Sequence, residues 1–233
     1  MMVVVAHIHT QFPEKFGIPR QSGLVPSALG NVVMEPEYRN PDAFKGIEEF
    51  SHLWLLWEFS KAKQDGFHAT VAPPRLGGKE RRGVFATRSP FRPNSIGLSC
   101  VKLEKISYDT PDGPILTVSG VDLLDGTPIY DIKPYLPYVD AHPEASGGFS
   151  DVHSKDGIHV EFPEALLVKL PEELRKAAME VLAQDPRAAY NKKPDYVYGM
   201  AFAEYDIRFT VQEDVLRVCD VLSREKTDFH KIK

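Results

Sequence analysis

Leu53-Trp54-Leu55-Leu56-Trp57-Glu58-Phe59 is the stretch on which the fold turns. It is nearly all apolar, which predicts a β-strand covered on both faces. Further strand patterns flank it. Val3 to Ile8 is a short β-branched run, and Gly83 to Arg88 reads as a brief strand between turn-rich flanks. Ile96, Leu98, Cys100 and Lys102 alternate with Gly97, Ser99, Val101 and Leu103, and Ile115 to Val121 follows the Pro111-Asp112-Gly113 turn. The one helix expected here spans Asn40 to Phe50, opening with Pro41. Many strands broken by Gly and Pro predict a mainly β first part, either a barrel or a sandwich.

Beyond it the pattern changes. Glu144 to Ser150 is small and polar without apolar periodicity, so residues 141–157 are expected to link a first domain (1–140) to a second (158–233). In the second, Pro171-Glu172-Glu173 opens a helix whose Leu174, Ala177, Ala178, Val181 and Leu182 share one face. Asp185-Pro186 stops it. Tyr205, Ile207, Phe209 and Val211, a turn at Gln212-Glu213-Asp214 and then Val215 to Val221 predict a hairpin. The second domain is therefore a small α+β unit.

Composition bounds the partners. The chain has 233 residues, 42% hydrophobic and 26% charged, with a net charge of −5, so bulk positive charge is not available for coating nucleic acid. Any such contact needs a local patch. The start lacks the pattern of a secretory leader, no apolar run is long enough to span a membrane, and the two cysteines lie far apart, so a cytoplasmic protein is expected. The eight histidines are scattered and no metal site is expected. GxSxG, Walker A, HExxH and GxGxxG motifs are all absent, the last removing a Rossmann nucleotide site.

Three segments carry candidate chemistry. From Arg75 through Lys79, Arg81, Arg82 and Arg88 to Arg92 there are six basic side chains and a single acid. That concentration suits phosphate contact through counterion release, although a solvated loop has the same composition. Around Arg88 and Arg92, Pro90 and Pro93 stiffen the backbone and preorganise two guanidinium groups for bidentate anion recognition, or simply join two strands rigidly. Asp122-Leu123-Leu124-Asp125-Gly126-Thr127 places two carboxylates after a strand, where they can accept from an amine or a ribose; a plain Asp-Gly turn is the alternative. Tyr130 to Tyr138 interleaves aromatics and prolines, suiting either a stacked purine or interdomain packing.

Taken in order, these blocks resemble the TrmO family, also called YaeB or TsaA, tRNA N6-methyltransferases that act on threonylcarbamoyladenosine at position 37. The resemblance runs through Pro19-Arg20-Gln21, Phe50-Ser51-His52-Leu53-Trp54, Pro73-Pro74-Arg75-Leu76-Gly77-Gly78 and Gly83-Val84-Phe85-Ala86-Thr87-Arg88-Ser89. It continues through Phe91-Arg92-Pro93-Asn94, Asp122 to Pro128, Asp131 to Pro137 and Gln184-Asp185-Pro186-Arg187-Ala188-Ala189-Tyr190. It implies a single-sheeted β-barrel binding S-adenosylmethionine, a smaller C-terminal domain and a homodimer acting on the tRNA anticodon stem-loop.

Carried over motif by motif, the implied cofactor-binding residues are Pro19, Arg20, Gln21, Ser60, Lys61, Arg88, Leu98, Asp122, Leu123, Leu124, Asp125, Gly126 and Thr127. Ser60-Lys61 stands where some relatives carry His-Gln, and Ala188 replaces a proline common in its motif. Arg75, Lys79, Arg81, Arg82 and Arg92 are the residues expected at the tRNA backbone; no general base is assigned. Two other readings share these features. One is a module that senses S-adenosylmethionine and holds RNA without turnover, the other an interaction protein whose basic loop docks an acidic partner.

Overall fold

The structure is a computed structural model that describes residues 2–62, 66–73, 76, 80–153, 157–187 and 196–224. Alternation of side chains and backbone pairing close the first part into a barrel of six antiparallel strands: β1 (Ala6–Thr10), β2 (Leu29–Met34), β3 (His52–Glu58), β6 (Ile96–Ser107), β7 (Ile115–Ser119) and β8 (Thr127–Pro134). Round the barrel the order is β1-β2-β7-β6-β3-β8, with β8 returning to β1. Two short strands, β4 (Thr70–Val71) and β5 (Arg82–Gly83), pair separately. Closure leaves the barrel without an open edge.

On β3 the inward residues Leu53, Leu55 and Trp57 are buried, while Trp54, Leu56 and Glu58 face outward and are half-buried rather than fully covered. Trp54 owes its partial cover to the Tyr135 ring, 5.6 Å away, and to the indole N–H bond it donates to Asp140 Oδ2 at 3.0 Å. Asp140 ends the short helix α1 (Pro137–Asp140). The outer face of this strand thus holds the segment that leaves β8 through Tyr135 and Asp140, while Tyr138 stays 83% exposed.

Four local expectations are corrected. The strand near the start covers Ala6–Thr10, not Val3 to Ile8. The Asn40 to Phe50 helix is instead two 3-10 turns, Pro41–Phe44 and Ile47–Glu49, separated where Gly46 takes a left-handed φ of 83°. The strand expected from Gly83 to Arg88 stops at Gly83 and becomes a 3-10 turn over Val84–Ala86. There the Arg92 guanidinium bonds the Val84 and Thr87 carbonyls at 3.1 and 2.7 Å, satisfying oxygens that a ladder would otherwise use. Finally, β2 and β8 are additional strands. Pro128 and Pro134 disguise β8, and Gly30 breaks the apolar pattern of β2 without breaking the strand, since a Cβ there would meet the Ile8 side chain at 2.9 Å.

The C-terminal part is a four-stranded sheet, β10 (Tyr198–Phe202), β11 (Tyr205–Gln212), β12 (Val215–Ser223) and β9 (His159–Glu161), in that order, with β9 parallel to β12. The expected hairpin is β11–β12, turning at Glu213-Asp214. A short helix, α2 (Glu164–Leu167), precedes α3 (Glu172–Ala183), which buries Ala177, Ala178, Val181 and Leu182, the face read from periodicity. Pro171 stands at the N-cap position of α3, one residue before its first turn, and makes no side-chain cap bond.

One core runs through both parts. Its bridge is residues 11–20: Phe12 packs edge-on to Phe202 at 5.9 Å, and Phe16 stacks on Phe209 at 6.4 Å. Gly17, at a φ of 96°, lies against Met200 where a Cβ would come within 2.7 Å. Among the described residues, no helix is long and apolar enough to cross a membrane.

Candidate functional site

Inside the barrel, Gly97 on β6 lets the Trp57 ring lie flat against the sheet, since a Cβ at 97 would sit 2.2 Å from the indole. So placed, the indole N–H donates to Ser99 Oγ at 2.9 Å, and the Ser99 hydroxyl donates to Asp122 Oδ1 at 2.6 Å. Asp122 follows β7 at the barrel rim. Burial pushes its carboxyl up to about 6, against the opposing pull of Ser99, of the N–H groups of Asp122 itself and Ser22, and of the Arg88 charge. The carboxylate is therefore held in place and costly to ionise, which suits it to a cationic partner that repays the lost water.

Arg88, exposed, donates to the amide oxygen of Gln21. The segment carrying Gln21 is itself stitched to the rim. The Cys100 N–H donates to Ser22 Oγ at 3.1 Å, and the Gly23 N–H to the Gly120 carbonyl at 2.8 Å. Farther back along the same segment, Lys15 Nζ bonds the Lys61 carbonyl at 2.7 Å, the Thr10 N–H bonds Asp125 Oδ1 at 2.9 Å, and the Asp125 N–H bonds the Phe12 carbonyl at 2.8 Å. Residues 10–23 are thus the common neighbour of the loops around 60, 88 and 125. Trp57, Ser99, Ser22 and Lys15 carry no functional signal in the sequence, because their contacts form only when distant strands pair.

The remaining sequence-derived residues divide by environment. Leu123 and Thr127 are buried, with the Thr127 hydroxyl donating to the Leu124 carbonyl at 2.7 Å, so their side chains belong to the core. Asp125 and Gly126 are exposed, and Asp125 also lies 3.4 Å from His9. Leu98 is an exposed aliphatic side chain on the outer face of β6. Pro19 is buried, and Arg20 donates to the Asp185 carbonyl at 3.0 Å, tying the barrel to the second domain. Ser60 lines an open cleft of about 470 Å³ with Phe59, His68, Phe91 and Arg92. Of the basic residues, Arg81 bonds Thr70, Arg82 pairs with Glu80 at 2.6 Å, and Arg92 holds the turn described above. Arg75 and Lys79, like Pro74, Gly77-Gly78 and Ala188-Ala189-Tyr190, lie outside the described residues.

Comparison with known proteins supplies the lineage. Residues 7–141 match the model of the tRNA-methyltransferase O N-terminal domain, and residues 155–224 that of the TrmO C-terminal domain. The chain belongs to the TrmO family. It is 42% identical over 214 residues to the tRNA (adenine(37)-N6)-methyltransferase of Escherichia coli K12, covering 88% of this chain and 91% of that one. A Pseudomonas aeruginosa protein, assigned provisionally by its name to the S-adenosylmethionine-dependent methyltransferases, is 42% identical over 226 residues, covering 93% and 95%. The crystal structure of TrmO from Pseudomonas aeruginosa superposes with a TM-score of 0.76 at 36% identity, covering 96% of this chain and 98% of that one. The six-stranded barrel with a smaller sheet domain is therefore the TrmO architecture.

The donor set fits the cofactor that this family implies. In chemical type, a guanidinium at Arg88 matches a carboxylate and the half-buried Asp122 matches an ammonium or sulfonium cation.

Proposed function

We propose that this chain methylates N6 of adenosine 37 in tRNA, beside the anticodon, with S-adenosylmethionine as donor, and that this adenosine carries a threonylcarbamoyl group. Membership of the TrmO family supports the activity. The observation that carries the site is Arg88 joined to Gln21 beside a half-buried Asp122 whose charge is countered by Arg88. When bound, the cofactor supplies an electrophilic methyl group on a positively charged sulfur.

The protein's share is orientation. Arg88 and Gln21 present polar groups to the cofactor's amino-acid tail, while the Trp57–Ser99 chain keeps Asp122 from turning. Fixing both reactants near attack distance accounts for a large part of such a displacement. The target nitrogen lies between a purine and a carbamoyl carbonyl, which acidifies it, so a strong general base is not needed. Arg75, Lys79, Arg81, Arg82 and Arg92 are proposed to follow the tRNA backbone. The same reading makes the protein a cytoplasmic homodimer, which light scattering tests as a particle of two 26.2 kDa chains.

Incubation with methyl-labelled cofactor and tRNA bearing the threonylcarbamoyl group, followed by mass spectrometry of anticodon-loop nucleosides, tests the assignment. One added methyl on that nucleoside is expected. Cofactor binding with no transferred label would make the chain a sensor, and no cofactor affinity at all would make it a docking protein.

A further inference from the structure

Three phenylalanines stand in water on one side of the barrel. Phe67 is 61% exposed, Phe85 71% and Phe91 42%. Leaving such rings in solvent forgoes burial that the core rewards elsewhere, so a group of them points to a surface that is covered in use. They form a group. The Phe67 and Phe85 rings lie 6.4 Å apart and only 28° from parallel. The Arg92 guanidinium lies over the other ring of this set, 5.5 Å from the Phe85 centroid. Phe67, Phe91 and Arg92 together line the open cleft of about 470 Å³, with His68, Ser60 and Ser95 as polar neighbours. That volume accommodates a nucleobase. Among the described residues, Glu58 is the carboxylate that also lines it, and it accepts from the Tyr130 hydroxyl at 2.6 Å.

The charge around the rings selects among occupants. This is an acidic chain overall, yet Arg81, Arg82, Arg88 and Arg92 all sit within the stretch that carries Phe85 and Phe91. Flat apolar rings interleaved with guanidinium groups match one chemistry in particular: unpaired bases on a phosphate backbone. Bases stack on rings whatever their sequence, and arginine neutralises the phosphates beside them. An apolar peptide would need the rings but gain nothing from the arginines, and a lipid surface would answer the arginines with phosphates but offer the rings no flat base to stack on.

We infer that Phe67, Phe85 and Phe91, with Arg92, form a stacking platform for unpaired bases of an RNA loop, and that the cleft between them receives one splayed base. This rests on the proposed tRNA activity and adds to it how the loop is opened. A nucleotide must leave its stack before chemistry on its base edge, and stacking on protein rings offsets that loss. Phosphate contacts then set the register of the loop.

The test uses the full chain and an anticodon stem-loop RNA with 2-aminopurine next to the target adenosine. Phe85→Ala and Phe67→Ala are each expected to weaken binding of this RNA roughly 5- to 150-fold and to abolish the quenching of the fluorescent base. Binding of the isolated duplex stem and of the cofactor should not change, and Phe85→Tyr should restore the loop affinity. Unchanged loop affinity in both alanine variants overturns the platform. So do equal losses on loop and duplex, or a change of oligomeric state in the variants, which would give the face to a second copy of this chain. A wild-type chain that shows ring-dependent quenching but transfers no methyl leaves the platform standing and sinks the proposed activity. Methyl transfer with normal RNA affinity in both variants does the reverse.

Discussion

The Ser99 hydroxyl donates to Asp122 Oδ1 at 2.6 Å and in the same geometry accepts from the Trp57 indole at 2.9 Å, so a barrel-core tryptophan sets the direction of a rim carboxylate. Because burial lifts that carboxyl to about 6, the folded chain holds a proton there that the unfolded chain, with an ordinary value near 3.9, has already lost. Between those two values the folded state binds more protons, so stability falls as pH rises through the window and stays lower above it. Asp122→Asn should remove this loss. Its urea midpoint should exceed that of the wild type at pH 7 by the equivalent of about 2–3 kcal/mol and match it near pH 3.5. A variant less stable at pH 7 would show that the ionised carboxylate is net favourable.

Cofactor affinity should run the other way. If Asp122 holds a cation, binding strengthens as pH rises through about 6, and the Asp122→Asn variant loses that dependence. Calorimetry across this range reads it directly.

Arg88→Ala should weaken cofactor binding by roughly 1.5–3 kcal/mol, the worth of a charge-assisted hydrogen bond. Since Arg88 is exposed and its side chain bonds Gln21, the thermal midpoint should hardly move. Calorimetric affinity equal to wild type would remove Arg88 from the site.

Gly97→Ala tests the origin of the Trp57 position. The new methyl group would come 2.2 Å from the indole, so either the ring moves or the strands part, at a cost of about 3 kcal/mol. Pairing it with Trp57→Leu, which vacates the contested space, should recover part of the loss in chemical denaturation. Additive effects of the two changes would deny the contact.

Neutralising both Arg81 and Arg82 should weaken RNA binding and flatten its dependence on salt by roughly 1.4 in log–log slope, two contacts at the single-strand value. The Arg81 bonds to Thr70 predict in addition a modest loss of β4–β5 order. An unchanged slope places the phosphate contacts on other residues.

Between the domains, the Arg187 guanidinium is 4% exposed and pairs with Asp185 at 2.8 Å, which raises the arginine's pKa. Asp185→Asn preserves shape and the tolerance for the φ of 47° found there, but leaves a buried cation without its carboxylate. A loss of about 2–3 kcal/mol is expected in the denaturation midpoint, whereas the exposed Arg208–Asp206 pair should tolerate the same change within about 1 kcal/mol.

Residue order alone determines whatever depends on near neighbours in the chain. The 3.6-residue rhythm of α3, the alternation along β6 and β11–β12, and the motif blocks from Pro19 to Arg187 all declare themselves locally, because propensity and burial pattern repeat within a few residues. Where local signals conflicted, reading failed. Pro128 and Pro134 argue against a strand that barrel closure nevertheless imposes, and Gly46 divides a segment whose composition suits a helix.

Tertiary structure decided the rest. The sequence offers Asp122 only as a carboxylate after a strand; burial at the closed barrel rim is what raises its pKa, and the approach of Ser99, Ser22 and Arg88 partly offsets that rise. Gln21 and Arg88 are 67 positions apart, and no periodicity links them. The strand composition and family lineage were written in the chain itself, since each is a property of residue order. The meeting of residues 10–23 with the loops at 60, 88 and 125, and the electrostatics that follow, exist only once the sheet closes, because hydrogen-bond partners and dielectric surroundings are set by distance in space rather than along the chain.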